Sequence, residues 1–573
     1  MPKILEADVV VVGSEAAGGR AAVEAHDHGA NVIVFTKGVM AHSGVTIKAV
    51  LTINAAFGYA DPRDNPKEHL RDTVVQGRYL NDQSLAGIVC QEAPSQMDNL
   101  GSWGCQWAMD GERYEQRIAP GHRYPRSLHV DWRTGREIMR VLRKEARQRG
   151  ITVFQDFFIS NYMTSPDGRV IGCMGIDIRK GEFLAVKAKS VIDATGGGMY
   201  LYAHNAATPE STGDGFSMAY RAGADLMDME FVQFYPTALL SPKALEGLQG
   251  IPVIVRYEGF RGRLYNAKGE RFMVRYDPER MELATRDVLA RAIYTEYREG
   301  RGTPNGGAWL DVRHMEDREI EEVIAKVAPN WTIRGINMLE WGMDLRKVPI
   351  EVGPVAHFFC GGIRVDEKWA STLPGLFAAG EVVGGVHGAN RLPGQALTEC
   401  VVSGSIAGRS AAKYAETVGE FEVNEEQLEE ERERVFRVFK RKDGVRPISV
   451  IEKLQQITWD YIGVIRDKEG LSTALEEINR IREEELPRLC LANVGRTFNR
   501  EWVEALELEN MLQVAETIAS AALYRAESRG NHYRRDHPCS SKEWLKKVLI
   551  KRDGKEMSIY TIPVGFKEVK PEG

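Results

Sequence analysis

Residues 8–18 read Asp-Val-Val-Val-Val-Gly-Ser-Glu-Ala-Ala-Gly. Four consecutive valines make an apolar run of strand length, and a run without polar alternation is what a strand buried on both faces of a parallel sheet requires. Small residues follow from Gly13 to Ala22, then a helical stretch to His28 and a second apolar strand at Asn31–Phe35. This is a βαβ start with a tight glycine turn after its first strand. Two later strands end in the same way. Ser190-Val-Ile-Asp-Ala-Thr-Gly-Gly runs into glycines at 196–198, and Gly375-Leu-Phe-Ala-Ala-Gly-Glu closes on Glu381. Three strand-to-glycine junctions between residues 8 and 381 predict one nucleotide-binding domain of the α/β class, interrupted by an insertion.

The first turn, Gly13-Ser-Glu-Ala-Ala-Gly18, departs from the dinucleotide pattern G-x-G-x-x-G/A. The second glycine of that pattern lets the backbone approach a pyrophosphate. Glu15 occupies it here, and its carboxylate must turn away from any phosphate. The second strand ends Thr36-Lys37, without the acid that holds a ribose 2′-hydroxyl in NAD proteins. Residues 387–397, His-Gly-Ala-Asn-Arg-Leu-Pro-Gly-Gln-Ala-Leu, place an arginine just before a helix start. Unpaired N–H groups at a helix N-terminus attract anions, and a guanidinium adds a fork of donors matched to a carboxylate.

Bulk properties exclude several classes. Charged residues are 27% and hydrophobic residues 43% of 573, ordinary for a globular chain with a large core. A net charge of −6 with no long basic stripe argues against nucleic acid. No apolar run approaches the ~20 residues of a membrane span. The start, Met-Pro-Lys-Ile-Leu-Glu-Ala-Asp, has no signal-peptide core. The seven cysteines (90, 105, 173, 360, 400, 490, 539) form no C-x-x-C pair, which argues against a disulfide framework or an iron–sulfur cluster in this chain. A reduced, cytoplasmic setting is expected, and no metal site is predicted. The insertion is expected at about 240–350. From Asn424 charged helical segments dominate, such as Glu425–Lys440 and Leu471–Glu485, then a long helix at Trp502–Arg529 and a strand-like tail at 557–564.

A series of motifs runs through the chain: TKGVMAHSGVTIKAVLTINAAFG at 36–58, His69, Asp72-Thr73, Gly77, Ala194-Thr-Gly-Gly197, Ser211-Thr-Gly-Asp-Gly215, Glu230-Phe-Val-Gln-Phe-Tyr-Pro-Thr237, Thr285-Arg-Asp287, Pro354-Val-Ala-His357, Cys360-Gly-Gly362 and the 387–397 segment. In order and spacing it resembles the flavoprotein family of succinate dehydrogenases and fumarate reductases, which includes L-aspartate oxidase. Asn499-Arg-Glu-Trp and Glu527-Ser-Arg-Gly-Asn-His-Tyr-Arg534 are similar to that family's helical region. The resemblance implies a Rossmann-like FAD-binding domain (1–240 and 351–415), an inserted α+β capping domain (241–350), and a C-terminal helical domain with its tail (416–573).

The resemblance also implies FAD, contacted by Gly13, Ser14, Glu15, Ala17, Gly18, Thr36, Lys37, Ser43, Gly44, Thr46, Asp214, Glu381, Ala396 and Leu397. Val45 stands where some relatives carry the histidine that bonds FAD covalently, so non-covalent FAD is expected. The family exchanges a hydride between flavin N5 and one carbon of a C4 dicarboxylate, while an arginine handles the proton on the next carbon. That arginine matches Arg286, its relay matches Glu258 and Arg261, and the carboxylate clamps match His357 and Arg391. An iron–sulfur subunit is the implied electron partner, with membrane contact only through partners and a location in the cytoplasm or peripheral on the cytoplasmic face. Tyr235 replaces the family's substrate-binding histidine, and Tyr257 replaces a threonine. A phenol stays neutral at pH 7 and donates one hydrogen bond. Two other readings therefore stand beside a fumarate or succinate enzyme. One is a relative acting on another substrate, a larger enoate or an adenylylsulfate-reductase-like one. The other is a non-catalytic FAD electron-transfer subunit. Retained Arg286, Glu258, His357 and Arg391 favour enoate chemistry.

Overall fold

The computed structural model describes residues 3–249, 262–333 and 335–571. Strand β1 (Lys3–Val12) leads into helix α1 (Ala16–Asp27) and then β2 (Val32–Thr36), each close to its expected place. β3 (Thr152–Gln155), β4 (Phe157–Thr164), β5 (Val170–Asp177) and β6 (Glu182–Asp193) complete most of one sheet in the order β3-β2-β1-β6-β5-β4. β3, β2, β1 and β6 run parallel, whereas β5 pairs antiparallel with both β6 and β4. β6 forks. Its first half pairs with β5 and its last three residues with the short strand Leu376–Ala378.

The register explains why three distant glycine junctions matter. Val12 pairs with Phe35 and Asp193, and Asp193 with Ala378. The backbone N–H groups of Gly13, Ala194 and Ala379 each donate to the adjacent strand end at 2.8 Å. All three strands therefore stop on one line, and their small-residue turns form one edge. Ligands of open parallel sheets bind at that carboxyl edge.

β7 (Val232–Leu239), β8 (Arg263–Tyr265), β9 (Ala308–Asp311) and β10 (Ile350–Phe359) form a second, antiparallel sheet ordered β7-β10-β9-β8. With helix α2 (Arg286–Arg298) it encloses a core of its own, including Leu239, Leu264, Phe272, Leu289, Ile293 and Val352. The two long strands of this sheet lie almost wholly outside the expected 241–350 insertion. Each carries one of the quoted motifs, with Tyr235 on one and His357 on the other.

Helix α3 (Gln395–Thr417) packs along α1. Glycines permit the contact: a Cβ on Gly404 would stand 2.5 Å from the Ala17 carbonyl oxygen, and one on Gly408 2.4 Å from that of Ala21. The C-terminal part holds helices Glu425–Phe436, Pro447–Tyr461, Lys468–Arg480 and α4 (Arg500–Tyr524). Three expected helices are shorter than the sequence suggested. Residues 437–440 tighten into a 3₁₀ turn, and 481–485 widen into a π turn just before Pro487, which cannot continue a helix. α4 stops at Tyr524 because the Arg525 side chain turns to the buried carboxylates of Glu230 and Glu527, at 2.5 and 3.1 Å. The tail is a hairpin, Lys546–Asp553 with Glu556–Pro563, that pairs with Leu226–Met227. No helix among the described residues is long and apolar enough to cross a membrane.

Candidate active site

The first turn is a cradle that only glycine permits. Gly13 has φ 104°, and a Cβ there would lie 2.1 Å from the Ala194 carbonyl oxygen. A Cβ on Gly18 would lie 2.0 Å from the Gly13 carbonyl oxygen. The cavity above is lined by Gly13, Ser14 and Glu15 from the turn, Thr36 and Lys37 from the end of β2, Ser43 and Gly44, and Asp214. The turn leads directly into the N-terminus of α1, an end that favours a phosphate.

Glu15 does turn away. Its Oε1 accepts from the Val45 N–H at 2.8 Å and its Oε2 from the Thr46 N–H at 2.6 Å. Burial raises its pKa, opposed by the Thr46 hydroxyl and those two N–H groups. It fastens the 43–46 loop, whose Ser43 and Gly44 line the same cavity. The loop is closed from the other side too. The Ser43 hydroxyl accepts from the Val39 N–H at 2.6 Å, and the Thr46 hydroxyl accepts from the Ala16 N–H at 3.4 Å. Lys37 donates to Asp214 at 2.7 Å and pairs with Glu507 of α4 at 2.8 Å. Burial pulls its pKa down, but Asp214 and Glu507 outweigh it and leave the ammonium above its ordinary value.

Farther along the same edge, Glu381 accepts from the Phe359 N–H at 2.9 Å. It is 6% exposed, and burial pushes its carboxyl up to about 8. A Cβ on Gly197 would come 2.3 Å from its Oε1, so glycine leaves the carboxyl its room. Ala396 and Leu397 sit in the first turn of α3, whose preceding residue Gly394 has φ 79°. Gln395 accepts from His69 at 2.7 Å and from Asn54 at 3.3 Å, fastening the start of α3 to the region of the motif series.

The second half of the site is cationic. Arg391 is buried, crosses the Phe358 ring at 4.5 Å, and donates to Gln233 of β7 at 2.9 Å. Gln233 in turn donates to Asn390 at 2.8 Å, which fixes the arginine's approach. Arg286 is the first residue of α2, with its guanidinium 5.2 Å above the Tyr235 ring. The Tyr235 ring meets His357 edge-on at 5.6 Å, and His357 Nδ1 lies 3.0 Å from the Gln249 amide. Burial, then Arg391, Arg286 and Lys48, hold His357 well below its ordinary pKa, so the imidazole is neutral. Burial and the nearby Arg286 lower Arg391 to about 10. Nε of both arginines and Nη1 of Arg286 have no hydrogen-bond partner among the described residues. Buried donors without acceptors are rare and unfavourable, and here they belong to neighbouring cations. Such a cluster of cations can receive an anion.

The structure thus gathers Arg286, Tyr235, His357 and Arg391 in one cluster, and of the fourteen expected cofactor residues Gly13, Ser14, Glu15, Thr36, Lys37, Ser43, Gly44 and Asp214 line the cavity at the sheet edge. Glu258, Arg261 and Tyr257 lie outside the described residues. Gln233 and Gln395 were not among the expected site residues. Both sit inside quoted motifs, at strand and helix positions where a buried amide is unusual, and that was the available signal.

The residues fit FAD: a glycine cradle at a helix N-terminus, a loop whose acid is turned aside, and a largely protonated carboxyl farther along. A parallel nucleotide-binding sheet beside a cationic cluster defines a flavin-dependent oxidoreductase. Residues 8–397 match the FAD binding domain family, and residues 451–573 match the fumarate reductase flavoprotein C-terminal family. The chain is 41% identical to a fumarate reductase (CoM/CoB) subunit of Methanothermobacter marburgensis, over 96% of this chain and 98% of that one. It is 36% identical to the 8-methylmenaquinol:fumarate reductase flavoprotein subunit of Wolinella succinogenes, over 98% and 90%. Mycobacterium smegmatis Sdh1, solved in complex with UQ1, superposes with a TM-score of 0.89 at 33% identity, covering 99% of this chain and 96% of the other. The chain belongs to the succinate dehydrogenase/fumarate reductase flavoprotein family. It is an FAD-dependent oxidoreductase of the type acting on CH–CH bonds.

Proposed function

We propose that this chain is the flavoprotein subunit of a fumarate reductase-type complex, interconverting an unsaturated C4 dicarboxylate and its saturated product. The observation that carries the reading is the pair Arg286, half-buried, and Arg391, buried, whose guanidinium donors include several with no partner among the described residues, beside a neutral histidine. Arg391 and His357 hold the carboxylates, His357 as a neutral hydrogen-bond donor. Two such contacts fix the alkene and polarise it toward addition. The glycine cradle, the 43–46 loop, Lys37, Asp214, Glu381 and the start of α3 would hold FAD, which, once reduced by two electrons from the partner subunit, would supply the hydride. Arg286 delivers the proton to the adjacent carbon, so hydride and proton together balance the reduction. An arginine ordinarily stays protonated at neutral pH, so it needs a relay to recover its proton. Glu258 and Arg261 are our candidates. FAD is non-covalent. The FAD-binding part spans 1–240 and 351–415, the cap 241–350 and the helical part 416–573. Electrons come from a separate iron–sulfur subunit, and the complex is cytoplasmic or peripheral on the cytoplasmic face.

Tyr235 supports a second substrate reading, a larger enoate, because an aromatic ring stands between Arg286 and His357. The test is oxidation of reduced viologen by the purified chain against fumarate and a panel of other enoates. Fumarate turnover in the wild type and its loss in Arg286→Ala, with FAD retained, is the expected result. Poor fumarate turnover that Tyr235→His improves selects the larger enoate. FAD binding without turnover of any acceptor refutes the enzymatic reading. Full-rate turnover by the isolated chain with a soluble physiological donor refutes the separate iron–sulfur partner.

A further inference from the structure

Dinucleotide-binding folds place an acid at the end of the second strand to hold the ribose hydroxyls of the adenosine half. Here β2 ends Thr36-Lys37, and Lys37 is already committed to Asp214 and Glu507. A different acid reaches the same place. Glu210 lies four residues before Asp214, on the segment that leads into the 214–222 helix, and it lines the nucleotide cavity with Ser14, Lys37, Gly38 and Ser43. Its Oε1 lies 3.6 Å from where a Cβ on Gly38 would stand. Its Oε2 is shut off from solvent and has no hydrogen-bond partner among the described residues. Arg500 feels the charge of Glu210, but it donates to Glu504 and Glu507, at 3.3 and 3.1 Å.

A carboxylate oxygen buried without a donor needs one from a ligand. A pyrophosphate offers only more negative charge. A ribose diol offers two hydroxyl donors, and it belongs at the end of β2. We propose that Glu210 takes the place of the missing strand-end acid and accepts hydrogen bonds from the 2′,3′-diol of the adenosine ribose of FAD.

The test compares ligands that contain and lack that diol. Apoprotein, freed of flavin by bromide dialysis, is titrated with FAD and with FMN, which has no adenosine, and binding is read by flavin fluorescence. Glu210→Ala is expected to weaken FAD by about 10- to 100-fold, as for hydrogen bonds to a charged group, with FMN affinity changed less than about two-fold. Equal weakening of both flavins, or unchanged FAD affinity, overturns the assignment. A second arm needs no variant. ADP should compete for the wild-type apoprotein about ten-fold better than 2′,3′-dideoxy-ADP. Equal competition assigns the carboxylate to another group, such as the adenine amine, and overturns the proposal.

Discussion

Glu15→Gln probes how this chain tolerates an acid in a phosphate-binding turn. The two carboxylate oxygens each accept one backbone N–H, from Val45 at 2.8 Å and from Thr46 at 2.6 Å. An amide has one acceptor oxygen and one donor nitrogen. Whichever way it flips, its NH₂ meets a backbone N–H, and that buried donor loses its partner. Leaving a buried donor unpaired costs ~1–3 kcal/mol. The 43–46 loop lines the same cavity, so the cost is carried into cofactor binding, as a factor of roughly 5–150 in the dissociation constant. Titration of the apoprotein with FAD measures it, and thermal unfolding of the apoprotein should fall in parallel. Glu15→Gly, which restores the glycine of the dinucleotide pattern, removes both acceptors and should weaken FAD as well. Unchanged affinity in Glu15→Gln, or tighter binding in Glu15→Gly, refutes the role of Glu15 as the loop's anchor.

Three further outcomes are expected. The carboxyl of Glu381, at about 8, is raised above its ordinary 4.5, so folding favours its protonated form. The resulting stability is complete below pH 4.5 and is lost as pH climbs through 8, by up to about 5 kcal/mol. Urea midpoints of the apoprotein from pH 5 to 9 should fall less steeply for Glu381→Gln, and identical slopes would contradict this. His357 is held neutral, so kcat/KM should show no inflection near pH 6.5 from this residue. An inflection there that vanishes in His357→Gln would count against a neutral clamp. Acid precipitation should leave all the flavin in the supernatant, because Val45 offers no nucleophile where a histidine would attach it. A yellow pellet would show a covalent link.

Much of the fold was legible because its signals are local. Four valines before Gly13 mark a buried parallel strand, and Ala194 and Ala379 repeat the pattern, so the shared edge followed from sequence. The motif series picked out Arg286, His357 and Arg391, which lie near one another in the structure. What stayed hidden depends on partners far away in the chain. The sequence demanded that Glu15 turn aside but could not say toward what, since its acceptors meet N–H groups 30 and 31 residues later. Gln233 reaches Arg391 across 158 residues, and Glu210 shares a cavity with the end of β2. The C-terminal end of α4 was overestimated for the same reason. Helical spacing continues past Tyr524, but a buried charge network draws Arg525 out of the helix.

The fork in β6 sets an order of events for a chain emerging from the ribosome. Asp193 waits for Ala378, which is made about 180 residues later. At 5–20 residues per second the delay is roughly 10–40 s. During that time the last turn of the sheet has an open flank, the kind of unpaired edge that invites wrong pairings in a nascent protein. The core of the second sheet, by contrast, lies wholly within the intervening stretch and can condense before the first sheet is whole. Helix α3, too, can be laid along α1 only after that delay.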